Sequence, residues 1–148
     1  MEGLDLAVIA PEEIAQLMAM PISDDDHLYQ YAIIRGDLEM PAGKLAAQAG
    51  HAYTDSLFNA MCVDLERAKS YRDRTRGGSK VTVKAKNQTQ LLKAYQQAKD
   101  LGLPCALIVD QHHILPPHFD GTPIITAVGI GPCTKEECRE ITKKFRCI

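Results

Sequence analysis

The hydrophobic pattern changes period several times along the chain, and each change marks an element. "LYQYAIIR" is an apolar, aromatic and β-branched run of strand length, followed by the turn-like "GDLEMPAG". From about Lys44 to Ser70 the spacing predicts a helix, with Leu45, Ala46, Ala49, Ala52, Tyr53 and Leu57 on its apolar side. "SKVTVKAK" alternates Val81, Val83 and Ala85 with Thr82, Lys84 and Lys86, the period of a strand with one wet face. "NQTQLLKAYQQAKDLG" reads as a helix stopped by Gly102, and "LPCALIVD" as a strand covered on both faces. "PIITAVGIG" is a further strand, and "TKEECREITKKF" a last helix with Thr134 as N-cap and Glu137 completing a capping box. Upstream, "APEEIAQLMAM" forms a short helix, with Pro11 in its first turn and Glu12 and Glu13 near the positive end of its dipole; "PISDDDH" breaks it.

These elements predict an α/β fold: a mixed four-stranded β-sheet flanked by helices on both faces, in the order β-α-β-α-β-β-α, with an extra N-terminal helix. In such sheets ligands bind beyond the carboxyl ends of parallel strands. Two candidates occupy those ends: the turn carrying Asp37 and Lys44, and Asp110 at the end of "CALIVD".

Composition narrows the class. The 148 residues, 45% of them hydrophobic, suit one compact domain. No apolar run approaches the roughly 20 residues that span a bilayer, and the first ten residues lack the pattern of a signal peptide, so a cytoplasmic protein with no membrane partner is expected. The five cysteines are odd in number and scattered, which suits reduced thiols; Cys133 and Cys138 are too far apart in sequence for a zinc knuckle. His112, His113 and His118 lack a companion acid or cysteine pattern, so no metal is expected there.

The net charge of −2 hides an asymmetry. Residues 1–30 hold seven acids and no Lys or Arg, which leaves all 17 basic residues against 12 acids in 31–148. Residues 1–30 are therefore read as an acidic N-terminal extension and 31–148 as the body. In "ERAKSYRDRTRGGSK" the cations Arg67, Lys69, Arg72, Arg74, Arg76 and Lys80 cluster; they could meet phosphates or simply be solvated.

One stripe departs from ordinary amphipathicity. At 100° per residue, Lys44, Gln48, His51 and Asp55 fall within about 60° of one another on an alanine-rich helix. A solvated face is the plainer explanation of such a stripe.

"YAIIRGDLEMPAGKLAAQAGHA" resembles the opening strand, turn and helix of the type 2 peptidyl-tRNA hydrolases, R-x-D-L-x-M-x-x-G-K-x-A-A-Q-x-x-H-A. "SKVTVKAKN", "AKDLGLPCALIVD" and "TAVGIGP" resemble later family segments in order and spacing. The resemblance runs from about Tyr31 to the C-terminus and implies that 31–148 form a catalytic domain that cleaves the ester joining a peptide to the terminal ribose of tRNA, with no cofactor or metal and as a possible homodimer. It places the active site at Lys44, Gln48, His51, Asp110 and Thr126, with Arg35 and Asp37 supporting the turn and contributing to substrate binding. Two stretches differ: the family's D-A-G-x-T is here Asp110, Gln111, His112, His113 and Ile114, and "RGGSK" stands where a G-Q is usual.

Ester hydrolysis needs a placed water, a proton acceptor and donors facing the oxyanion. Asp110 suits the acceptor, and Lys44, near a helix start, suits a phosphate or the oxyanion. Gln48 and His51 could position the ribose or carbonyl, and Thr126 could steer water or Asp110. Arg72, Arg74, Arg76 and Lys80 would contact tRNA phosphates. The alternative is a non-catalytic RNA-end binder or adaptor, since the loop after Asp110 is altered. Neither G-x-S-x-G nor a P-loop is present.

Overall fold

The computed structural model describes residues 10–19, 27–74 and 78–148. After α1 (Pro11–Met18), β1 (Tyr29–Arg35) leads through a 3-10 turn (Gly36–Leu38) to α2 (Ala42–Val63) and α3 (Leu65–Arg74). β2 (Ser79–Ala85), α4 (Gln88–Asp100) and β3 (Cys105–Asp110) follow. A small hairpin, β4 (Ile114–Leu115) and β5 (Phe119–Asp120), precedes the long β6 (Ile124–Cys133), then α5 (Lys135–Thr142) and β7 (Arg146–Cys147).

The α/β class with a mixed sheet agrees with expectation, but the strand count and order do not. The main sheet has five strands in the order β3-β6-β1-β2-β7, and the β4-β5 hairpin forms a separate two-stranded sheet. Strands of two residues are too short to show a period, which is why β4, β5 and β7 escaped the pattern. The helix expected over Lys44 to Ser70 is two helices. Asp64 leaves helical geometry at φ −154°, and its carboxylate accepts the Arg67 amide hydrogen at 3.2 Å, starting a new helix. The same Arg67 grips Glu137 of α5 with both terminal nitrogens, at 2.7 and 2.9 Å, and holds that carboxyl below the usual carboxylate range.

β1 pairs parallel with β2 and antiparallel with β6, which in turn pairs antiparallel with β3. β1, β2 and β3 therefore run the same way and end at one edge of the sheet. Alternation sorts the two faces. Ala32, Ile34, Ile108 and Ala127 pack with Ala49 and Ala52 of α2. Tyr31, Ile33, Val83, Ala85, Val128 and Ile130 pack with Leu91, Ala94 and Ala98 of α4 and with Ile141 of α5. Along α2 the buried positions are Gln48, Ala49, Ala52, Ser56 and Ala60, whereas Ala46, expected on the apolar side, is exposed.

α2 lies unusually close to β6. A Cβ on Gly129 would collide with the carbonyl oxygen of Ala52 and press on the Ser56 side chain. Ser56 itself donates its hydroxyl to the Gly131 carbonyl, so the helix is hydrogen-bonded to the strand as well as packed on it. Small residues on both sides let the helix axis descend onto the sheet.

Gly129→Ala should therefore push α2 outward. We expect a loss of about 1–3 kcal/mol in unfolding free energy by urea titration, the usual cost of an overpacked core. An unchanged urea midpoint would show that the helix tolerates a larger separation.

Candidate active site

The first turns of α2 meet the end of β3. Lys44 Nζ donates to Asp110 Oδ2 at 2.9 Å, and Gln48 Nε2 approaches Asp110 Oδ1 at a long 3.4 Å. The ion pair is mostly covered, with side-chain exposures of 9% for Lys44 and 17% for Asp110. Lys44, Ala47, Gln48, His51, Asp110 and His113 line an open cavity of about 380 Å³. Asp110 faces α2 because it is two residues beyond Ile108, whose side chain belongs to the α2 core.

Thr126 reaches this face through an irregularity in the ladder. Ile108 pairs with Ala127, but the next residue, Val109, pairs with Ile125, so Thr126 is an extra residue opposite no partner. Regular alternation from Ala127 would turn Thr126 toward α4; the bulge re-aims it. Its hydroxyl donates to Gln48 Oε1 at 2.6 Å. That bond leaves the Gln48 NH2 group toward Asp110. Thr126 is fully buried, and the hydrogen bond its side chain makes here is to Gln48.

The segment after Asp110 closes the other side. Lys44 Nζ lies 2.6 Å from His113 Nδ1, within hydrogen-bond distance. The Phe119 ring of β5 lies under the same ammonium, 4.3 Å from its centroid, and stands 6.2 Å from the His113 ring. Lys44 is thus held by a carboxylate, an imidazole and an aromatic face. Phe119 was not singled out from sequence, because its role depends on a hairpin that only tertiary structure reveals. Among the described residues, no group of three or more His, Cys, Asp or Glu is placed to hold a metal ion.

The remaining sequence candidates lie at the rim of the cavity or outside it. His51 is exposed on the rim of the cavity, and Asp55, farther along the same stripe, is exposed as well. Arg35 grips both Asp37 oxygens, at 3.0 and 3.2 Å, and donates to the Ile125 carbonyl at 3.0 Å, which ties the end of β1 to β6 beside Thr126. Arg35 and Asp37 therefore do not enter the Lys44–Asp110 cavity. Lys80 is the second residue of β2, about 17 Å along the strand from its carboxyl end at the site's edge. Its ammonium contacts the Tyr71 hydroxyl at 3.3 Å and lies over the Tyr53 and Tyr71 rings; burial, aided by Arg72, lowers its pKa. Arg72 is exposed on α3, which also carries Arg74, while Arg76 lies outside the described residues.

The family model described as "Peptidyl-tRNA hydrolase PTH2" matches residues 28–148. The chain is similar to the peptidyl-tRNA hydrolase of Methanococcus maripaludis strain C6, 35% identical over 124 residues that cover 82% of this chain and 100% of the relative. It is 37% identical to that of Methanocaldococcus jannaschii over 78% of this chain and 96% of the relative. For the peptidyl-tRNA hydrolase of Pyrobaculum aerophilum the identity is 37%, over 76% of this chain and 91% of the relative.

Thr126→Val keeps the shape of the side chain and removes the donor that fixes Gln48. Leaving the buried amide oxygen unpaired should cost about 1–3 kcal/mol in urea unfolding, and Thr126→Ser should recover most of it. Equal stability of the Val variant and the parent would mean that Thr126 does not hold Gln48.

Proposed function

This chain belongs to the peptidyl-tRNA hydrolase PTH2 family, and on that premise we infer that it hydrolyses the ester bond between a peptide, or N-blocked amino acid, and the 3′-terminal ribose of tRNA. The observation that carries this reading to particular residues is the convergence of the Lys44 ammonium, the Asp110 carboxylate and the Gln48 amide on one open cavity.

In this reading the ester carbonyl enters beside Lys44. Asp110 takes a proton from water as the water oxygen bonds to the carbonyl carbon, and the electron pair displaced onto the carbonyl oxygen meets the Lys44 ammonium. Collapse of the tetrahedral intermediate breaks the bond to the ribose oxygen, which takes back the proton held by Asp110 and leaves as tRNA, while the acyl group leaves as the carboxylic acid. Gln48 holds the Asp110 carboxylate, and Thr126, through Gln48, is a positioning residue. His51, on the rim, is suited to the terminal ribose. Lys44 supplies positive charge at the oxyanion, so the proposed reaction is independent of metal and cofactor.

Arg35 and Asp37 support the turn that carries α2 into the site. Arg72, Arg74, Arg76 and Lys80 would meet phosphates farther along a bound tRNA. Among the described residues no helix is long and apolar enough to cross a membrane, and we assign the protein to the cytoplasm with its tRNA substrate. Exposed Phe58 and Met61, one turn apart on α2 with Leu65 beyond, support a homodimer through this apolar strip. Residues 1–30 are proposed as an acidic extension that is peripheral up to the start of β1 at Tyr29; of these, residues 10–19 and 27–30 are described, and the family match begins at residue 28.

Purified protein should release N-acetylated amino acid from charged tRNA with EDTA present. Asp110→Asn should lower kcat by about 10²- to 10⁴-fold with little change in KM, because proton transfer is made in the transition state. Lys44→Ala should also raise KM if its ammonium holds substrate before the reaction. Full kcat in folded Asp110→Asn protein would remove Asp110 from the chemistry, and loss of activity in EDTA would contradict the metal-free reaction.

A further inference from the structure

A second cavity, of about 580 Å³, opens at the same end of the sheet as the Lys44–Asp110 pair and is lined by Lys84, Lys86, Lys144 and Arg146, with Gly36 and Asp37 at its wall. All four cations are exposed. The one carboxylate in the lining, Asp37, is already gripped by the Arg35 fork, so four positive charges face the cavity with no free acid among its lining residues. Lys144 touches the neutral Gln97 amide at 3.0 Å, which leaves its charge uncompensated by that contact.

The strand register makes this arrangement costly. Lys84 and Arg146 are directly opposed across β2 and β7. Like charges in register on one face repel and destabilise the pair of strands. Lys84 is further held in place because its stem lies across Gly36, where any Cβ would collide with it. An anion between the two cations would turn this repulsion into attraction.

The side of the sheet is also informative. Val83 and Ala85 belong to the core beneath α4 and α5, while the Thr82 hydroxyl meets Tyr53 of α2, so Lys84 and its partner Arg146 face the α2 side, as Asp110 does. Three to four strand spacings separate β3 from β2 and β7, which places the cations about 14–19 Å across the sheet from Asp110. A stacked strand advances about 3.4 Å per nucleotide, so this distance corresponds to about four to six nucleotides from the ester.

We propose that this cavity is a phosphate subsite that takes the RNA backbone where the unpaired 3′ end of tRNA joins its acceptor stem. The assignment rests on the peptidyl-tRNA reading above. It gives Lys84 and Arg146 a reason to be opposed, and it orients the 3′ strand across the sheet edge toward Lys44. The subsite recognises phosphodiester charge and not base identity.

The test compares wild type with the double variant Lys84→Gln, Arg146→Gln on two substrates: N-acetylated aminoacyl-tRNA and the same ester on its 3′-terminal trinucleotide, which is too short to reach the cavity. With tRNA the double variant should raise KM by about 10-fold or more at 0.1 M salt, keep kcat, and flatten the plot of log KM against log salt by about one to two in slope. The trinucleotide ester should be turned over equally by both proteins, and removing the like-charge pair should leave the urea midpoint unchanged or higher. Unchanged KM and salt slope with tRNA would overturn the subsite, as would an equal loss on the trinucleotide. Failure of the wild type to hydrolyse either ester would instead refute the peptidyl-tRNA reading itself.

Discussion

The close seat of α2 on β6, where Gly129 leaves room for the Ala52 carbonyl, sets the position of the α2 side chains in the candidate site. Lys44 and Gln48 leave the helix toward Asp110 only because the helix rests at backbone contact distance from the sheet. Buried Ala49, Ala52 and Ala60 keep the helix face flat, and Ser56 fastens it to the Gly131 carbonyl. A larger residue at any of these points would separate the ammonium from the carboxylate.

That placement creates an electrostatic arrangement poorly explained by stability alone. Bringing a Lys and an Asp out of water costs several kcal/mol per ion, and their attraction repays it only with good geometry and further hydrogen bonds. Lys44 has such support from His113 and Phe119, whereas Asp110, among the described residues, has the long contact from Gln48 as its one side-chain hydrogen bond besides Lys44. The carboxylate is therefore the less satisfied partner and the one open to water in the cavity. The β4-β5 hairpin and the residue just before it supply the Phe119 and His113 contacts. In this chain the ammonium is restrained by a histidine and an aromatic ring.

Sequence reading reached the long elements because their periods repeat enough to be counted. β1, β2, β3 and β6 are visible as apolar or alternating runs, and the capping box at Thr134 and Glu137 forms as its spacing predicts. The Lys44–Gln48 spacing was likewise legible, since a helix fixes it. What escaped depends on contacts between distant segments. The split at Asp64 follows from one local cap; the Thr126 bulge exists only in the pairing of β6 with β3; and the buried state of Gln48 depends on Thr126, 78 residues away. Composition could not say which basic cluster lies near the site: "ERAKSYRDRTRGGSK" ends at the far edge of the sheet, while Lys84, Lys86, Lys144 and Arg146 converge from separate segments at the near edge.

The central claim is that Lys44 and Asp110 act as one unit on the ester. A double-mutant cycle on kcat/KM for N-acetylated aminoacyl-tRNA, using Lys44→Ala, Asp110→Asn and the combined variant, tests it most directly. Residues that act together are strongly non-additive, so the combined variant should be little worse than the more damaging single one. Losses that simply multiply would show that the two side chains contribute independently and would contradict the account.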